Sequence, residues 1–243
     1  MSAIVHLGDC LEVMKTLESG SIDMILCDLP YGTTACKWDQ VIPFAPLWEQ
    51  YERLIKPNGA IVLTAAQPFT SALVMSNPRF YKYAWVWNKR KATGYLQAKL
   101  QPMRLTEDVL VFCKDTPPYY PQYTQGDPYK PRGGRAKEGV YNLPGSERAG
   151  SDGRRYPKNL LEIAFEKRPQ HPTQKPVALF EYLIRTYTLP GETVLDNAAG
   201  SGTTGVAAIQ CGRKAILIEQ DAAYHAIAQR RVRHAQPALL GIG

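Results

Sequence analysis

The chain has 243 residues, 44% of them hydrophobic, and carries a formal charge of +7 with an isoelectric point near 9.1. That length supports one full core plus an inserted region, and the charge favours a polyanionic partner. The start, Met1-Ser2-Ala3-Ile4-Val5-His6, has no signal-peptide layout, and no apolar run reaches membrane-spanning length, so a cytoplasmic protein without membrane contact is expected.

Ala3 to Leu7 reads as a strand, followed by Gly8-Asp9 and a helical pattern through Leu11, Val13, Met14 and Leu17, with Asp9 as a natural N-cap. Ile22 to Cys27 is an apolar run closed by Asp28-Leu29-Pro30-Tyr31-Gly32, the pattern of a buried strand leaving the sheet through a turn. A polar loop, Thr33 to Asp39, carries Trp38 beside that turn as either a lid or a hydrophobic plug. A helix is expected over Pro46–Lys56, stopped by Pro57-Asn58-Gly59, then a strand over Ala60–Ala65 and a helix over Pro68–Met75. Strands follow at Tyr81–Trp87 and Asp108–Cys113. Residues 79–104 hold seven Lys/Arg and no acid, a plausible phosphate-contacting surface that includes Lys89, Arg90 and Lys91.

Residues 115–160 change character, being rich in Pro, Gly, Tyr and Arg without a helical or strand period. Tyrosines interleaved with Arg132, Arg135, Arg154 and Arg155 suit base stacking and phosphate contact. His171-Pro172-Thr173-Gln174-Lys175-Pro176 then leads into a helix from Val177 to about Thr188. The last unit is a strand (Thr193–Asp196), a glycine loop (Asn197-Ala198-Ala199-Gly200-Ser201-Gly202-Thr203-Thr204-Gly205), a helix, a strand (Lys214–Ile218) and a final helix. The loop glycines permit a tight turn and close approach of a ligand to a helix N-terminus. Glu219, just past a strand end, is placed to accept hydrogen bonds from both hydroxyls of a ribose. Five cysteines form no C-x-x-C pair and no zinc spacing, which fits reduced thiols, and no metal site is expected.

Taken together, Asp28-Leu29-Pro30-Tyr31 and Asp196 to Thr204 resemble the motifs of the amino-methyltransferases of DNA: a D-P-P-Y-type catalytic motif and a D-x-x-x-G-S-G-T-T cofactor motif. The catalytic motif comes first, as in the beta class of that family. Leu29 stands where the pattern has proline, and Ala198 where it commonly has an aromatic residue. The resemblance implies an α/β fold, a seven-stranded Rossmann-like S-adenosylmethionine-dependent methyltransferase sheet with circularly permuted motif order. Residues 1–114 and 169–243 would form the catalytic domain, and 115–168 an inserted target-recognition region.

The resemblance implies S-adenosylmethionine as cofactor, with Asp9, Cys10, Asp28, Thr173, Lys175, Asp196, Ala198, Gly200, Ser201, Gly202, Thr203, Thr204, Glu219 and Gln220 around it. Thr173 and Lys175 are carried over as contacts to the methionine carboxylate. Asp28, Pro30 and Tyr31 would be catalytic, acting on an amino group of an extruded base in double-stranded DNA. An Asp-initiated motif favours the N6 amino group of adenine; N4 of cytosine and a non-catalytic DNA-binding relative stay open. A nicotinamide dehydrogenase also fits the glycine spacing, but only one βαβ unit follows residue 193. The oligomeric state, a homodimer included, is left open by the sequence.

Overall fold

The structure, a computed structural model, describes residues 2–33, 39–130, 150–166 and 174–236. Trp38, Arg132, Arg135 and Thr173 lie outside them. The elements in chain order are β1 (Ala3–Leu7), α1 (Cys10–Thr16), β2 (Ile22–Cys27), α2 (Phe44–Leu54), β3 (Ile55–Ala65), α3 (Phe69–Ser76), β4 (Tyr81–Thr93), β5 (Arg104–Phe112), β6 (Thr124–Gln125), β7 (Arg154–Arg155), β8 (Leu160–Glu162), α4 (Val177–Tyr187), β9 (Thr193–Asp196), α5 (Thr203–Gln210), β10 (Lys214–Glu219) and α6 (Ala222–His234).

The chain divides into two compact units, Met1–Tyr120 with Asn159–Gly243, and Pro121–Lys158. In the first, eight strands form one sheet in the order β1-β10-β9-β2-β3-β5-β4-β8. The seven expected strands are all there, and β8 adds three residues in parallel to the edge of β4. From β1 through β3 every pairing is parallel, while β5 runs antiparallel to both β3 and β4. Strands from before and after the Pro121–Lys158 unit alternate across this sheet. They meet at three seams: β1 with β10, β9 with β2, and β4 with β8.

Parallel strands buried on both faces need continuous apolar runs, which is why Ile22-Asp23-Met24-Ile25-Leu26-Cys27 sits at the centre. Alternate residues serve opposite layers. Met24 and Leu26 pack with Leu179, Phe180, Leu183 and Ala207 from α4 and α5. Ile25 and Cys27 pack with Met14, Leu47, Tyr51 and Leu73 from α1, α2 and α3. The one acid in that run, Asp23, accepts from the Thr193 backbone N–H (2.9 Å) and pairs with Lys56 (2.5 Å), so it clasps β2 to both neighbours.

Several boundaries move. Pro57-Asn58-Gly59 does not end the helix; α2 stops at Leu54, and the three residues form an irregularity in β3 between Ile55 and Ala60. β4 and β5 extend beyond their apolar segments to Thr93 and Arg104, so much of the basic stretch is strand. The second unit holds the β6–β7 ribbon and a bridge between Tyr129 and Ser151. No described helix is long and apolar enough to cross a membrane.

Candidate active site

Because β2, β9, β10 and β1 are parallel, their carboxyl ends share one edge, and Gly8, Asp28, Asp196 and Glu219 meet around a single cavity of about 500 Å³. α5, after β9, packs on one layer and α2, after β2, on the other, so the cavity lies at the switch point where open α/β sheets bind ligands.

On the β2 side, Asp28 is the hub. The Tyr31 hydroxyl donates to its Oδ1 (2.9 Å) and lies 3.0 Å from Thr64 Oγ1, and the Thr64 hydroxyl donates to the same carboxylate oxygen. The Lys175 ammonium reaches both oxygens, at 2.8 Å for Oδ1 and 2.9 Å for Oδ2. Oδ1 is therefore saturated, whereas Lys175 is the one partner of Oδ2 among the described residues, leaving that oxygen able to accept one more hydrogen.

A line of alternating charge continues behind it. Lys175 lies 3.2 Å from Glu107 Oε2, and Lys89 lies 3.2 Å from Glu107 Oε1 and 3.0 Å from Thr93 Oγ1. Burial disfavours the Lys175 charge, but Asp28, Tyr31 and Glu107 outweigh it and hold the ammonium well above the usual lysine range. Burial first, then the Asp28 charge, pushes the Tyr31 hydroxyl well up, so it is a neutral donor. Phe69 stacks on the Tyr31 ring (centroids 5.1 Å apart, 24° between planes), and Lys175 Nζ stands 5.4 Å from the centroid of that ring.

On the β9 side, the glycine loop is folded by Asp196. Its oxygens accept from the Ala198 backbone N–H (3.1 Å) and from the Thr204 hydroxyl. Burial raises its pKa to about 6 against these hydrogen bonds. Glu219 accepts from the Gly200 N–H (2.7 Å) with one oxygen and from the Asp221 N–H (2.8 Å) with the other. Burial raises its pKa too. Asp9 caps α1 through the Leu11 and Glu12 N–H groups, as its position implied.

Among the described residues, Asn197 Nδ2 is a buried donor without a hydrogen-bond partner, and Glu107 Oε2 has only the Lys175 ammonium, 3.2 Å away. Both residues line this cavity, one toward β2 and one on the glycine loop. A buried donor left without an acceptor is costly unless a ligand supplies one.

Most of the expected residues converge here. Asp9, Cys10, Asp28, Pro30, Tyr31, Lys175, Asp196, Ala198, Gly200, Ser201, Thr203, Glu219 and Gln220 all line the cavity. Gly202 and Thr204 do not; the first packs against Ala228 of α6 and the second is tied to Asp196. Lys89, expected on a phosphate-contacting surface, is 2% exposed and faces the cavity, its charge neutralised by Glu107. Arg90 and Lys91 do reach solvent, although Arg90 lies 3.5 Å from Glu162. In the second unit Arg154 is exposed and stands over Tyr123, while Arg155 stands over Tyr129 and bonds Ser151 and the Asp127 carbonyl, fastening the ribbon. Lys175 meets Asp28 and Glu107. Thr64, Glu107 and Asn197 were not anticipated.

A profile of the family described as DNA methylase matches residues 22–230. The DNA adenine methyltransferase YhdJ of Escherichia coli is 30% identical over 94% of this chain and 82% of its own length. The type II methyltransferase M.HpaI of Haemophilus parainfluenzae is 26% identical over 93% and 72%. Among solved structures, the M1.HpyAVI–SAM complex is similar at a TM-score of 0.64 and 25% identity, covering 94% of this chain and 99% of that one. The PvuII DNA methyltransferase, described as cytosine-N4-specific, reaches 0.71 at 19% identity over 95% and 86%, a likeness of fold.

Proposed function

The chain belongs to the DNA methylase family, and from that premise we propose that it methylates the N6 amino group of adenine in duplex DNA after extruding the base. It is an S-adenosylmethionine-dependent DNA methyltransferase. The carrying observation is the single cavity that joins Asp28-Leu29-Pro30-Tyr31 to the glycine loop across the β2–β9 switch point. Adenine is supported by the Asp-initiated motif and by the likeness to YhdJ, named as a DNA adenine methyltransferase.

When bound, S-adenosylmethionine supplies a methyl group on a sulfonium centre. Asp9, Cys10, Ala198, Gly200, Glu219 and Gln220 form the wall that would hold it, and Glu219 keeps a second lone pair on each oxygen for ribose hydroxyls. Asn197 Nδ2 offers a donor on that side.

A base amino group is a poor nucleophile because its lone pair is delocalised into the ring. Asp28 Oδ2 and the Pro30 carbonyl would each accept one of its hydrogens and draw the nitrogen toward tetrahedral geometry, freeing the lone pair for in-line attack. Tyr31 and Thr64 fix the carboxylate through Oδ1, so the acceptor is preorganised. Tyr31, backed by Phe69, offers a ring for stacking, an interaction worth about 1–3 kcal/mol. Lys175 stands over that ring, so stacking requires its ammonium to shift. Residues 121–158, with stacked Tyr/Arg pairs, are the part we assign to target recognition. The substrate would be cytoplasmic DNA.

The test is methylation of mixed-sequence duplex DNA by purified protein with S-adenosylmethionine, followed by nucleoside mass spectrometry. N6-methyladenine is expected. N4-methylcytosine would overturn the base assignment, and no methylated base would overturn the activity.

A further inference from the structure

β4 and β5 pair from Tyr81↔Phe112 out to Asn88↔Thr106, slip, and close at Thr93↔Arg104. Thr93 and Arg104 line the cavity, so the turn beyond them rises from its rim. That turn is built. Gly94 takes a left-handed φ of 89°, Tyr95–Gln97 form a 3-10 turn, and backbone bonds join Gly94 to Gln97, Tyr95 to Ala98 and Gln97 to Leu100 at 2.9–3.0 Å. Its backbone groups are thus paired internally, while its apolar side chains point outward: Leu96 is 99% exposed, Leu100 88% and Tyr95 79%. Isolated surface leucines are ordinary, but a cluster on an ordered turn marks a contact surface.

The charges around the turn say what it meets. Lys91, Lys99 and Arg104 are all exposed near the turn, and residues 79–104 contain no acid. Apolar tips flanked by cations, at the rim of a cavity that takes an extruded base, match duplex DNA at the point of extrusion: cations for phosphates, hydrocarbon for the space left in the stack.

We propose that the β4–β5 turn is a wedge, with Leu96 and Leu100 entering the duplex where the target base has left it. The inference rests on the reading of the cavity as a DNA-base site. A wedge stabilises the gap only where a paired, stacked base must be removed, so its loss is compensated when the target base has no partner.

The test uses full-length protein and duplexes carrying the methylated site mapped by mass spectrometry. Both side chains are almost wholly exposed, so Leu96→Ala/Leu100→Ala is expected to fold like the parent. On paired DNA the double variant should lose about tenfold or more in kcat/KM, with less fluorescence from 2-aminopurine at the target position, which reports unstacking. On a duplex with an abasic site opposite the target it should come within about twofold of the parent. Equal losses on both duplexes, or no loss on either, would overturn the wedge. A parent dimer that becomes monomeric in the variant would give the patch to a second copy of the chain. Variant-sensitive binding to anionic phosphatidylserine vesicles would give it to a membrane; either overturns the proposal. A parent that methylates no DNA fails earlier, at the underlying reading, and removes the wedge with it.

Discussion

At the scale of residues, Asp28 has the most exacting position. Its carboxylate is held by three side chains yet keeps one oxygen available to a substrate. Asp28→Ala should lower methyl transfer by about 100-fold or more while leaving cofactor binding nearly intact, as measured by single-turnover kinetics and calorimetry. Retained turnover would remove Asp28 from the reaction. Glu107 is the second partner of Lys175. When a base takes the face of Tyr31 over which the ammonium stands, Glu107 is where that charge can go. Glu107→Gln should therefore raise KM for DNA by about tenfold with little change in cofactor affinity. Asp196 gives a pH signature. Its folded pKa of about 6 lies above the ordinary 3.8, so between those values the folded chain holds a proton that the unfolded chain releases. Stability from this group falls as pH rises through that window, by up to about 3 kcal/mol. Chemical denaturation of Asp196→Asn should show a difference from the parent that shrinks toward pH 4. Asp9, Asp28 and Glu219 were legible in the sequence because each sits beside a strand or helix end that announces itself. Glu107 and Thr64 were not, since the parallel pairing of β2 with β3 carries Thr64 to the end of β2, and the antiparallel pairing of β3 with β5 brings Glu107 beside it. Lys89 was misplaced because a charge count does not see burial.

At the scale of elements, the glycine loop separates into two jobs. A methyl group on Gly202 would meet the Ala228 Cβ at 2.9 Å, on a backbone with φ of 80°. Gly202→Ala should thus cost about 1–3 kcal/mol and lower Tm by several degrees in calorimetry. Gly200, also left-handed, has nothing within 4 Å of such a methyl and lines the cavity. Gly200→Ala should spend its effect on cofactor affinity, read by titration, with a smaller change in Tm. The sequence reads both glycines alike because spacing does not say which side of the loop faces a helix. The buried strands were legible for the converse reason: apolar runs such as Ile22–Cys27 report burial on both faces directly. β8 has three residues, too few to carry a period, and the outer halves of β4 and β5, with Lys89-Arg90-Lys91 in one and Arg104 and Glu107 in the other, have no apolar run and read as loop.

At the scale of the whole molecule, parallel β-strands are assembled out of chain order. The adjacency of the Asp28 and Asp196 strands was legible because a lone βαβ unit after residue 193 cannot complete a sheet by itself. What spacing could not show is the interleaving of the strands before and after the Pro121–Lys158 unit at three seams. Covalent continuity between those two portions is consequently a matter of encounter rate more than of final stability. Cleavage at a protease site engineered into 121–158 should leave a nicked protein whose fragments co-elute on gel filtration and melt within a few degrees of the parent. Expressed separately, each fragment would expose unpaired strand edges and aggregate; expressed together, they should restore methylation, so the chain is a ready-made split enzyme whose activity reports that its two pieces have met.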